Sequence, residues 1–150
     1  AKNVKFVWTV AKRRCPGCNP YKKFYPGNRY VQYVGFSSFN WGAQKQWQTM
    51  PEGVSLIMKF FNKFTKKPVI IAELAANAVR GPAAESWENK PQWIRKGYPA
   101  VYKKWPRIKM MVYLNQNLTN VGHPDWSLDT PGAMHAYKEI VSDPRFQGRF

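Results

Sequence analysis

The apolar run Lys66-Lys67-Pro68-Val69-Ile70-Ile71-Ala72-Glu73 ends on a carboxylate. Proline opens it and β-branched residues fill it, as in a strand buried on both faces of a parallel, helix-covered sheet. In barrels built from such sheets the C-terminal strand ends carry the chemistry. Glu73 stands at such an end, in a chain with only 8 acidic residues. A carboxylate mounted there suits nucleophilic or acid–base work. Beside a lysine or arginine it would instead be a structural ion pair. Cys15 and Cys18 form Cys-Pro-Gly-Cys, but a zinc site needs a second ligand pair, and the sequence has no other CxxC. Its histidines, His123 and His135, lie far along the chain. The Pro/Gly/Asn surroundings favour a short disulfide or two free thiols over a redox centre, and a disulfide would imply an oxidising compartment. No metal and no cofactor is expected.

Trp8, Trp41, Trp47 and Tyr113 could line a sugar cleft by stacking on apolar sugar faces. Barrel core is the alternative for Trp8, and loop packing for the others. Asn115 and Asn117 could bind hydroxyls or form turns. His123 reads as structural, and Asp125 and Asp129 as caps of turns and of the last helix. Lys12, Arg13 and Arg14, with Lys22 and Lys23 beyond the cysteines, could clamp phosphates or carboxylates, or form a solvated loop.

The elements that must position these groups alternate. Apolar strand candidates are Asn3–Val10, Tyr30–Phe36, Pro68–Glu73 and Arg107–Leu114. Helical spacing falls on Gly53–Phe64, Lys90–Trp105 and Pro131–Val141, the last with Thr130 as N-cap and Pro131 at the first helical position. Pro99 should kink or split the second helix. No clear helix follows the first strand. The order is the βα alternation of a parallel α/β fold, and four strands are half of an eight-stranded barrel.

The 150 residues make one domain or a piece of one, and 44% hydrophobic residues supply a core. No apolar run is long enough to span a membrane. Ala1 stands where a Met would start a gene product and reads as a processed or cut end. Lys and Arg total 24 against the 8 acids, a net charge of +16, and the first acid is Glu52. Such a field attracts nucleic acid, anionic polysaccharide or acidic lipid; a solvated basic face is the plain alternative.

The order of motifs resembles the C-terminal half of glycoside hydrolase family 26 and its β-mannanase-like relatives. Matching stretches are Val4–Val10, Tyr25-Pro26-Gly27 and Tyr30-Val31-Gln32-Tyr33-Val34-Gly35. Phe39-Asn40-Trp41-Gly42, Lys67 to Glu73 and Trp93-Ile94 follow. Tyr113-Leu114-Asn115-Gln116-Asn117 and Asp125-Trp126-Ser127-Leu128-Asp129 close the series. The resemblance implies a (β/α)8 barrel of the retaining type, with this chain supplying strands five to eight as a half-barrel domain over residues 1–150. It places Glu73 at the nucleophile position on strand seven and Tyr113 where an aromatic platform sits on strand eight; Trp41, Asn115 and Trp8 are expected beside them at the substrate. It also implies a secreted or extracytoplasmic location.

The family's general acid lies on strand four, upstream of these residues. The chain is therefore expected to be inactive alone and to need an N-terminal half or a partner subunit. Where relatives place Asp and Tyr around strand six, this chain has Ser37 and Phe39, so the nucleophile is expected to lack its usual hydrogen-bond partner. Asn28 and Gln32 are neutral where relatives are often acidic. The competing expectation is a non-catalytic basic protein of a polyanion-containing assembly, using Lys12, Arg13, Arg14, Lys22 and Lys23. An autonomous small enzyme ranks last.

Overall fold

A computed structural model of the chain describes residues 3–11, 21–42, 45, 47–77 and 90–148. Lys12, Arg13, Arg14, Cys15 and Cys18 lie outside the described residues. Four strands, β1 (Val7–Ala11), β2 (Tyr33–Asn40), β3 (Val69–Ala76) and β4 (Ile108–Tyr113), form a sheet in the order β1-β2-β3-β4. All three pairings are parallel. A 3-10 turn, Tyr21–Phe24, lies between β1 and β2, and α1 (Met50–Phe61), α2 (Lys90–Lys104) and α3 (Pro131–Ser142) follow β2, β3 and β4.

The helices lie on one face. Trp8 of β1 and Phe36 of β2 both meet Phe61 of α1, with ring centroids 6.2 and 6.1 Å apart. Tyr113 of β4 meets Tyr137 of α3 at 5.5 Å. Val34, Phe36, Val69, Ile71 and Leu74 are buried in this layer. Successive side chains on a strand point to opposite faces. Val7, Thr9 and Ala11 of β1 therefore face away from the helices, and all three are exposed. Met110 and Val112 of β4 are 49% and 44% exposed. The second sheet face is thus exposed, with apolar Val7, Met110 and Val112 at its edges.

Local sequence explains the helix starts. Thr49 and Glu52 form a capping box: Glu52 Oε2 accepts from Thr49 N at 2.8 Å, and Thr49 Oγ1 accepts from Glu52 N at 3.4 Å. That box starts α1 at Met50, earlier than the apolar spacing alone suggests. Thr130 Oγ1 caps α3 by accepting from Ala133 N. Pro99 neither splits nor ends α2, which runs unbroken from Lys90 to Lys104. The proline removes one backbone bond, while the buried face of Trp93, Ile94, Gly97, Tyr98 and Val101 holds the helix on its neighbours. Gly97 permits the closest approach, since a Cβ there would lie 2.7 Å from Met50 Cβ of α1.

Two strands run further than the apolar runs. β2 continues through Ser37–Asn40, and Ser38 and Asn40 are buried although polar. β3 continues through Leu74, Ala75 and Ala76, all fully buried. Glu73 therefore sits inside β3 rather than at its end.

Candidate functional site

Glu73 is exposed, between buried Ile71 and Leu74. Its position comes from a bulge. Phe36 of β2 pairs with Ile71, and the next residue, Ser37, pairs with Glu73, leaving Ala72 as the extra residue. A bulge re-aims the side chains beside it. Here it places a carboxylate on the face opposite Ile71 and Leu74. Ser37 Oγ donates to Glu73 Oε2 at 2.7 Å. Phe39 cannot do this; it packs on Trp126 instead, centroids 5.1 Å apart. Phe39 gives Glu73 no donor, as its side chain dictates, and the Ser37 hydroxyl supplies one instead.

An aromatic cluster lies past the strand ends. Trp41 follows β2 and meets Trp126 edge-on at 5.6 Å and His123 at 5.8 Å. Lys45 Nζ lies 4.1 Å from the centroid of the Trp41 ring. Asn77 Nδ2 donates to the Trp41 carbonyl at 3.3 Å, joining the exits of β3 and β2. Asn115 Oδ1 accepts from Leu128 N at 2.8 Å and ties the β4 exit to the segment before α3. Asn117 Oδ1 accepts from Thr119 N and Oγ1, a local turn. Trp47 is half-buried beside the α1 start, near Trp93 and Gly97 of α2.

Two of the expected sugar platforms face the other way. Trp8 packs among Tyr25, Phe61 and Phe64 in the helical layer. Tyr113 is buried against Tyr137. Burial pushes its phenol well above the ordinary tyrosine range. Strand alternation is the reason: each stands opposite the uncovered face. Trp41 and Asn115 remain beside the strand ends on the Glu73 side of the fold. Lys22 and Lys23 are exposed on the 3-10 turn before β2.

Lys90 was not singled out as a site residue from its position in the sequence. Its side chain is buried, and Nζ donates to the carbonyls of Asp125 at 3.2 Å and Ser127 at 2.7 Å. Burial lowers its pKa, while Asp125 and Asp129 act in the opposite direction. This lysine fixes the loop that carries Trp126. The polar run Asn89-Lys90 gives no sign of it.

Glu73 has no second carboxylate hydrogen-bonded to the same donor among the described residues. Glu52 caps α1, Glu139 pairs with Arg95 and His135, and Asp143 pairs with Arg145. Asp125 Oδ1 accepts from Ser127 N and Oγ. Among the described residues, no three His, Cys, Asp or Glu side chains gather as a metal site. No described helix is long and apolar enough to cross a membrane.

No family model matches the sequence. The chain is 29% identical over 146 residues to endoglucanase H from Acetivibrio thermocellus, which covers 94% of this chain and 15% of that protein's length. Among solved structures, it is similar to a β-D-glucuronidase from Dictyoglomus thermophilum (TM-score 0.56, 13% identity, 94% of this chain and 27% of that chain). A β-glucuronidase from an uncultured Clostridium gives a TM-score of 0.52 at 13% identity, covering 76% of this chain and 23% of that chain. GH26A from Muricauda sp. MAR_2010_75 gives 0.48 at 18% identity, covering 99% of this chain and 38% of that chain. The parallel α/β sheet with its helices is a glycoside hydrolase-like fold, consistent with part of a TIM-barrel glycosidase.

Proposed function

We propose that this chain is the C-terminal half of a retaining, family 26-type glycoside hydrolase barrel, with Glu73 as its nucleophile. One observation carries the reading: Glu73 is held by Ser37 at 2.7 Å on the uncovered face of a four-stranded parallel sheet. In a closed barrel that face is the interior, and β1 and β4 each gain a neighbour. The open β4 edge already borders a groove lined by Tyr98, Ile108, Met110, Ile140 and Phe146.

A retaining enzyme needs an acid about 5–5.5 Å from the nucleophile to protonate the leaving oxygen. The complementary half, or a partner subunit, supplies it from a facing strand. Ser37 orients the Glu73 carboxylate for attack on the anomeric carbon, and Trp41 and Asn115 border the substrate. The substrates are β-mannans or other β-glycans. These polymers are too large to enter a cell, so the protein works outside the cytoplasm.

Turnover of β-mannan and mixed-linkage glucan tests this. The isolated chain should be silent, and the chain with its complementary half should be active until Glu73→Gln. Turnover by the isolated chain that is lost in Glu73→Gln would remove the need for a partner. A silent native complex would favour the second reading, a non-catalytic polyanion-binding protein, which the net charge of +16 supports.

A further inference from the structure

Parallel topology gathers every strand entry, and the C-terminal ends of α1 and α2, at the pole opposite the strand exits. Lys5 precedes β1; Lys63, Lys66 and Lys67 lie between α1 and β3; Lys103 and Lys104 end α2. All but Lys67 are exposed. Among the described residues the acid nearest this pole in the topology is Asp143, just after α3, and Arg145 holds it at 2.5 Å. The helix dipole accounts for Lys103 and Lys104, but not for Lys5, Lys66 or Lys67, which flank strands. Arg107 donates to the Lys67 carbonyl and to Asn62 Oδ1, locking two of these turns together. Six lysines thus share this pole, where the nearest described acid is already paired with Arg145, and an anionic polymer would neutralise their charge.

We propose that this pole is a docking surface for an acidic polysaccharide, separate from the Glu73 site and independent of its reading. The described arginines at this pole, Arg29 and Arg107, decide between anion classes. Bidentate phosphate recognition uses free guanidinium forks. The Arg107 fork is spent on Lys67 and Asn62, and Arg29 lies 4.5 Å from the Tyr30 centroid and bonds its hydroxyl. Lysine point charges remain, beside Phe6 and Tyr30, which are 63% and 53% exposed at the β1 and β2 entries. Carboxylated sugars offer charges to the lysines and apolar ring faces to the aromatics.

The test is binding of polygalacturonate to the whole chain across a salt series. Two variants are compared: Lys63 and Lys66 both changed to Gln, and Lys96 and Lys138, which lie on the helices α2 and α3, both changed to Gln. The first should weaken binding about tenfold or more and flatten the salt dependence; the second should stay within about twofold. If the first variant melts early, Lys66→Gln alone must still flatten the salt slope. Equal losses in both variants, or no binding by the unmodified chain, would overturn the proposal. Tighter binding of oligo(dT) than of polygalacturonate would overturn it in favour of a nucleic-acid surface.

Discussion

Ser37 Oγ and Glu73 Oε2 are joined by a 2.7 Å hydrogen bond across the β2–β3 pair, beside the bulge at Ala72. Neither residue would meet the other in an unbulged register, because Ile71 pairs with Phe36, the residue before Ser37. On the proposed function, this hydroxyl takes the role of the tyrosine that relatives place near the nucleophile, holding Oε2 of the Glu73 carboxylate.

In the assembled barrel, Ser37→Ala should therefore lower kcat about tenfold with little change in KM, the scale of one hydrogen bond to a charged group. Ser37→Thr keeps the hydroxyl and should recover most of the rate. Steady-state kinetics on a soluble mannan checks both.

Much of this frame was legible in the sequence. The four apolar runs became parallel strands because their β-branched cores must be buried. Thr130 and Pro131 marked the α3 start because cap chemistry is local. The strand extensions were hidden, since Ser37–Asn40 reads as polar loop and Ala75-Ala76 carries little apolar signal. The Ala72 bulge leaves no trace in residue type, yet it decides where Glu73 points. Trp8 was legible in part: it shares the parity of Val10, which marks a buried face. Pro99 shows tertiary packing overriding a local breaker.

Tyr98, Tyr113 and Tyr137 have phenols that burial pushes above the ordinary value. Above about pH 10 the unfolded chain loses these protons while the folded chain keeps them. The unfolded state then binds fewer protons, so stability falls as pH rises. The contribution is whole below that pH. Lys90, whose pKa is lowered, acts with the opposite sign over its own alkaline window. The Tyr98 hydroxyl is buried without a hydrogen-bond partner. Tyr98→Phe should leave stability at pH 7 nearly unchanged and make the alkaline loss shallower, as read by urea melts at pH 7 and above pH 10.

Gly97→Ala should destabilise the chain by about 1–3 kcal/mol. A new Cβ would meet Met50 Cε at 2.6 Å and Met50 Cβ at 2.7 Å, and the second atom is fixed by the α1 backbone. The usual helix gain of alanine over glycine, about 1 kcal/mol, is outweighed. Urea denaturation of the two proteins gives the difference.

Trp126→Ala should cost about 3–5 kcal/mol, the range for emptying a buried aromatic site. Trp126 is 2% exposed and supports both Phe39 and Trp41. Thermal unfolding measures the loss. A drop of only a few tenths would show that the cluster past the strand ends is not packed as described.

The central claim is that Glu73 attacks the sugar once a complementary half closes the barrel. Retaining enzymes pass through a covalent glycosyl intermediate, which a 2-deoxy-2-fluoroglycoside traps. Intact mass and peptide mapping of the assembled protein after such labelling test the claim most directly. The account predicts one added glycosyl group on the peptide containing Glu73, absent from the isolated chain and from Glu73→Gln. An adduct on a different carboxylate, or labelling that survives Glu73→Gln, would contradict it.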